Sequence, residues 1–218
     1  MALVIYDLDD TLLNEDASRL WLQFIGDRGH ACRDTLLQEE ARLDALYKQG
    51  KLDMCDYLLM QLGPHIGQSL DAVCAEIDSF ISDYVMPHVR PAALDNIREH
   101  QANGDRCLVI SASTAFLVKP IAKRLGINDA IGVEIELDDG VITGRPDGVI
   151  SYQEGKIIRL QEWLEQEQEA LADSWFYSDS RNDLPLLELV CNPVAVSADP
   201  HLRAVASERN WRQVEWHF

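Results

Sequence analysis

Asp7, Asp9 and Asp10 put three carboxylates into four residues of the stretch Asp7-Leu8-Asp9-Asp10-Thr11, directly after the apolar run Ala2–Tyr6. Like charges so close repel, so the cluster disfavours folding unless a positive charge meets it. Two carboxylates at positions i and i+2 on a loop past a buried strand can do different work. One attacks as a nucleophile while its neighbour shuttles a proton. The attacking group must stay ionised, which a bound divalent cation ensures, and an all-oxygen ligand set suits Mg²⁺.

Polar residues elsewhere sit in comparable places. Arg106–Ile110 reads as a strand ending at Ser111, and Ser174–Ser178 as a strand ending at Asp179, while Pro193–Val196 is a fourth, weaker strand. In open α/β sheets ligands bind beyond the carboxyl ends of the strands, so Asp7, Ser111 and Asp179 are expected to converge. Helical patterns lie between. Pro91 opens one that Gly104 closes, and Ile157, Leu160, Trp163 and Leu164 recur at helical spacing in another. Alternating strands and helices predict a doubly wound, Rossmann-like α/β fold with a parallel sheet.

Residues 15–87 break that rhythm with successive helical patterns and no strand. Leu20, Trp21, Phe24 and Ile25 form one apolar stripe, and Val73, Ile77, Phe80, Ile81 and Tyr84 another. The expected organisation is a core of residues 1–14 and 88–218 with a helical cap, 15–87, inserted after the first strand. Trp21 reads as cap core. Asp139-Gly140, flanked by alternating residues over 134–144, predicts a hairpin.

Composition narrows the function. With 19 Lys and Arg against 37 Asp and Glu, the formal charge of −18 opposes nucleic acid and anionic membranes. A small phosphorylated metabolite stays open if local cations overcome that field. The five cysteines are scattered without a C-x-x-C pair and read as reduced core residues. The histidines show no metal spacing. No basic leader or run of ~18 apolar residues is seen, which predicts a cytoplasmic protein.

Taken singly these features are weak: a lone D-x-D is common in acidic loops, a serine after a strand usually caps a helix, and a lysine near a helix start is usually solvated. Together they resemble the haloacid dehalogenase superfamily. Asp7, Asp9 and Thr11 fall on its D-x-D-x-T motif, Ser111 in Val-Ile-Ser-Ala-Ser-Thr on the second, Lys156 on the third, and Asp179 with Asp183 on the fourth. The helical insertion and Asn182 are similar to the phosphoserine phosphatase-like branch.

The resemblance implies a phosphatase. Asp7 would form an aspartyl-phosphate and Asp9 act as acid and then base. Ser111, Ala112, Lys156 and Asn182 would hold phosphate or substrate, and Mg²⁺ would sit on Asp7, Asp179 and the Asp9 main-chain carbonyl, with Asp183 behind. The second motif departs from the serine-glycine-glycine of phosphoserine phosphatases, and Glu154 stands two residues before Lys156. Asp16 matches an acidic position that holds the substrate amine in that branch; it reads equally as a helix-start acid. Phosphoserine and histidinol phosphate are the leading substrates. A phosphotransferase using the same intermediate, or a non-catalytic binding protein on the same scaffold, shares these motifs.

Overall fold

The structure is a computed structural model that describes residues 1–217. From β1 (Leu3–Tyr6) the chain enters α1 (Ala17–Asp27), α2 (Arg33–Tyr47) and α3 (Met54–Leu62). The short helices α4 (Leu70–Cys74) and α5 (Ile77–Phe80) follow, continued by a wider helical turn to Val85. Next come α6 (Pro91–Ala102), β2 (Arg106–Thr114), α7 (Ala115–Arg124), β3 (Asp129–Val133), and the strand pair β4 (Ile135–Asp138) and β5 (Val141–Pro146). The chain continues through α8 (Glu154–Glu167), β6 (Trp175–Ser178), α9 (Leu184–Leu187), β7 (Asn192–Val196), α10 (Pro200–Glu208) and β8 (Arg212–Val214).

Six strands make one parallel sheet in the order β3-β2-β1-β6-β7-β8. The order reverses at β1, whose neighbours β2 and β6 lead the chain away in opposite directions. A crevice opens at such a point, beyond the carboxyl ends of the strands. Tyr6 lies in register with Val109 and Tyr177, so the loops after β1 and β6 emerge together while β2 runs on beside them.

The two-residue period of β1 divides the core. Leu3 and Ile5 join Leu108, Ile110 and Phe176 against Leu160 of α8, Leu187 of α9 and Leu202 of α10. Val4 and Tyr6 face the other layer, with Ile97 of α6, Leu117 and Ile121 of α7, and the α1 stripe. Helices on both faces explain why the strands read as continuous apolar runs. The hairpin forms as expected: Asp139 and Gly140 both take positive φ, 49° and 80°, which a tight two-residue turn of this hand requires.

The segment between β1 and β2 is helical throughout its regular elements. Asp16 caps α1 by accepting from the Arg19 amide at 2.8 Å. Trp21 is buried among Phe24, Phe80 and Phe116 and donates its indole N–H to His65 Nε2 at 3.0 Å. The hairpin docks on this segment through Leu70 N to Gly140 O at 2.9 Å and Ile142 N to Gln68 O at 2.9 Å. Among the described residues, no helix is long and apolar enough to cross a membrane.

Two expectations need correction. β2 does not stop before Ser111 but runs to Thr114, with a register shift against β3 between Ile110 and Thr114. The cysteines are all free, yet Cys107 alone is fully buried; Cys32, Cys55 and Cys191 are exposed and Cys74 half-buried. Cys32 precedes α2 and Cys55 lies in the first turn of α3, positions with no apolar period to draw them inward.

β3 approaches the start of α7 closely. A Cβ on Gly132 would stand 2.8 Å from Ala115 Cα and 2.9 Å from the Ser113 carbonyl oxygen. Because backbone must yield, Gly132→Ala is expected to lower stability in urea unfolding by about 1–3 kcal/mol, the range of overpacked cores.

Candidate active site

Asp7 leaves the end of β1 with its amide donating to Tyr177 O at 3.0 Å, which fixes the start of the loop. A single wide turn follows, closed by Leu13 N to Leu8 O at 3.1 Å. Asp10 takes φ 57° within it, a left-handed conformation that aspartate tolerates, and faces solvent. Thr11 turns back to the next loop. Its Oγ1 donates to Asp179 Oδ1 at 2.9 Å and accepts from the Asp179 amide at 3.0 Å.

Lys156 enters from the first turn of α8 and is 1 % exposed. Its Nζ lies 2.7 Å from Asp7 Oδ1 and 2.7 Å from Asp183 Oδ1. Ser178 Oγ donates to the other Asp183 oxygen at 2.7 Å. One buried ammonium therefore serves two buried carboxylates, while Asp179 stands nearby. Burial pushes Asp7 up to about 8; Lys156 pulls the other way, and Asp183 and Asp9 add to the rise. Burial, then the charge of Asp7, hold Asp179 well above the usual carboxylate range. Lys156 is raised because Asp183 and Asp7 outweigh its own burial. The cluster is short of positive charge.

Asp9 is gripped on both oxygens. Oδ1 accepts from Ala17 N, the first residue of α1, at 2.7 Å. Oδ2 accepts from Ser111 Oγ at 2.8 Å and Ser113 Oγ at 2.9 Å. Ser111, expected on the phosphate, thus spends its hydroxyl proton on Asp9, and its oxygen accepts the Ser113 amide at 2.9 Å.

Asp7, Asp9 and Asp179 open onto a pocket shared with Asp16, Asp44, Tyr47, Leu52, Met54, Tyr57, Ala112 and Ser113. Leu43, Leu52, Met54 and Tyr57 pack with Ala112, Ile150 and Tyr152 above it, joining the helical segment to the core loops. Asp16 has both positions foreseen for it: it caps α1 and lines the pocket. Burial and the nearby Asp9 charge hold its carboxyl well above the ordinary range. Asn182 is not in the pocket lining. Its amide donates to Tyr47 O at 3.0 Å and accepts from Tyr152 OH and Gln153 Nε2, each at 3.2 Å.

The model of the haloacid dehalogenase-like hydrolases matches residues 4–188, a span holding every side chain of this cluster. The chain belongs to that family. It is 37% identical over 213 residues to a histidinol-phosphatase of Neisseria meningitidis serogroup C, covering 96% of each chain. A crystal structure of a Bordetella pertussis Tohama I protein of unknown function superimposes with a TM-score of 0.90 at 34% identity, over 99% of both chains. A phospho-aspartyl intermediate analogue of phosphoserine phosphatase shares the fold, with a TM-score of 0.71 at 19% identity over 99% of this chain and 93% of that one.

The donor chemistry of this hydrolase fits a magnesium ion. Asp7 and Asp179 are oxygen donors held high first by burial and then by neighbouring carboxylates, with one lysine among them, and a divalent cation would meet both conditions. Among the described residues no three acidic, histidine or cysteine side chains are already gathered at metal spacing. Mg²⁺ does not need three, since it keeps several waters and takes one or two carboxylates. Asp183 is held by Lys156 and Ser178 instead, behind Asp7.

Sequence reasoning missed Ser113, although Ser111 and Ser113 alternate along an extended strand and so share a face. It also missed Asp44, Tyr47, Leu52, Met54 and Tyr57. α2 buries only Glu40 and Leu43, so no apolar period marks which of its residues meet the core loops. Lys156→Met would leave Asp7 and Asp183 buried without their cation. The metal-free hydrolase should lose about 3–5 kcal/mol in urea unfolding, the scale of a broken buried ion pair.

Proposed function

We propose that this hydrolase is a Mg²⁺-dependent phosphatase of small phosphomonoesters that works through an aspartyl-phosphate on Asp7. The observation that carries the reading is the buried Asp7–Lys156–Asp183 bridge at the floor of a pocket, with Asp9 fixed beside it. A carboxylate oxygen of Asp7 bonds to phosphorus as the ester P–O bond breaks, and Asp9 gives its proton to the leaving alkoxide. Asp9 then takes a proton from water, whose oxygen bonds to phosphorus as the Asp7–phosphorus bond breaks.

Lys156 offsets part of the repulsion between an anionic nucleophile and an anionic ester, and the main-chain N–H of Ala112 is suited to a phosphate oxygen. Asp7, Asp179 and the Asp9 carbonyl would hold Mg²⁺, which would supply the remaining charge neutralisation. Residues 15–87 serve as a cap over a core of 1–14 and 88–218, and exclude water from the site.

The pocket lining favours one substrate class. Asp16 and Asp44 offer carboxyl groups, of which Asp16 would ionise when a cation reaches it, Tyr47, Tyr57, Leu52 and Met54 offer aromatic and apolar surface, and among the described residues the lining contains no Lys, Arg or His. An ester bearing a cationic amine and no carboxylate suits these walls. Histidinol phosphate has that form, and the relative from Neisseria is named for it. Phosphoserine would bring a carboxylate with no cation to meet it, and takes second place.

Asp7→Asn should fold as the parent does and release no measurable phosphate. Chelation should abolish turnover and Mg²⁺ restore it, while calorimetry should detect Mg²⁺ binding to the parent that Asp179→Asn loses. Across phosphorylated metabolites, kcat/KM for histidinol phosphate should exceed that for phosphoserine at least tenfold. Asp16→Asn should weaken histidinol phosphate binding by about 1.5–3 kcal/mol, the scale of a charged hydrogen bond, and para-nitrophenyl phosphate binding far less.

A further inference from the structure

A chain of buried polar groups runs from α3 to Asp9. Gln61 Nε2 lies 2.6 Å from Ser18 Oγ, Ser18 Oγ lies 3.0 Å from Ser113 Oγ, and Ser113 Oγ lies 2.9 Å from Asp9 Oδ2. Gln61 and Ser18 are 0 % exposed and Ser113 is 3 % exposed, so water does not compete for these bonds.

The direction of every bond follows from the chemistry of the end group. The Asp9 carboxylate only accepts, so Ser113 gives it its single hydroxyl proton. Ser113 must then accept from Ser18, and Ser18 from the Gln61 amide. The Tyr57 hydroxyl turns instead to Asp16, whose Oδ1 accepts from it at 3.5 Å. The chain is therefore polarised one way, from the helical segment toward the carboxylate.

Packing alone does not explain Gln61. Its Oε1 is buried with no hydrogen-bond partner, an arrangement that disfavours folding and that a methionine of similar size would avoid. The strain is tolerated for what the Nε2 donor does. Ser113 likewise stands where the serine-glycine-glycine pattern has no hydroxyl at all.

We propose that Gln61, Ser18 and Ser113 are positioning residues that orient Asp9 for proton transfer and make that orientation depend on the docked helical segment. Ala17 N holds the other oxygen of Asp9 from the same segment, so both oxygens feel its placement. With the segment displaced, Asp9 loses the Ala17 amide and Ser113 loses its Ser18 donor, so only the Ser111 and Ser113 hydroxyls remain, both on one oxygen, and the carboxylate can turn. The acid is thereby held for transfer only when the pocket is covered, and the chain couples closure to chemistry. This inference rests on the phosphatase reading above.

The test uses leaving groups. An alkyl phosphate needs a proton on its departing oxygen, whereas para-nitrophenolate leaves without one, so misaimed Asp9 harms the first far more. kcat and KM are measured for Gln61→Met, Ser113→Ala and the double variant on histidinol phosphate and para-nitrophenyl phosphate. β-Glycerophosphate replaces the former if the parent does not turn it over. Each single variant should lower the ratio of alkyl to aryl kcat/KM, which reads phosphoryl transfer and not the hydrolysis step that both substrates share, about tenfold, and the double variant should add little more.

An unchanged ratio, or equal losses on both substrates, would overturn the proposal. Should Ser113→Ala fail to fold, Gln61→Met, three hydrogen bonds from the carboxylate and close in volume, decides by itself. Failure of the parent to cleave any of these esters would instead remove the phosphatase reading, and this inference with it.

Discussion

The structure depends on placing more negative than positive charge in a dry crevice. Lys156 alone stands between Asp7 and Asp183, and Asp9, Asp16 and Asp179 lie close by. Such a group of carboxylates is unfavourable in the free protein, and only a rigid surround can hold it. The parallel sheet supplies that surround. β1, flanked by β2 and β6 and buried on both faces, cannot shift without breaking two ladders, and Asp7 is its next residue. A divalent cation, as proposed above, would relieve that repulsion.

Around that charge the remaining contacts have a common logic. Thr11 ties the Asp7 loop to the Asp179 loop and Ser151 donates to the Ser111 carbonyl at 2.6 Å, so these loops are fixed by one another, while Ser178 orients Asp183 within its own loop. The helical segment enters the same network through Ala17, Ser18 and the Tyr47 carbonyl. Strand ends thus hold the clustered carboxylates, and the helical segment supplies the far wall of the pocket. The acidic, aromatic wall suits a cation, although the chain's overall charge alone would attract cations indiscriminately.

Much of this was legible in the sequence because strand ends announce themselves. Short apolar runs ending in Asp7 and Asp179 predicted where two of the converging carboxylates lie, and Asp139-Gly140 predicted its turn from conformational need alone. β3 and β8 went unread. β3 is short and only partly apolar, and β8, Arg212–Val214, is an edge strand with two exposed residues. Ser111 reads as the residue just past the strand, but β2 runs on to Thr114, and the direction of the serine hydroxyl follows from that irregular backbone. The pocket wall was invisible because α2 carries almost no apolar stripe, and its inner residues are chosen by tertiary contact rather than by local pattern.

The central claim is that Asp7 itself receives the phosphoryl group, and the most direct measurement is to catch it there. Wild-type enzyme mixed with a phosphomonoester it hydrolyses and Mg²⁺ is quenched in acid within the first turnovers, digested and sequenced by mass spectrometry. The account predicts a phosphoryl group on the peptide containing Asp7, at that residue, and none when water has had time to exhaust the substrate. Phosphate release at full rate with no phosphoenzyme at any time, or with the label on a different side chain, would contradict it.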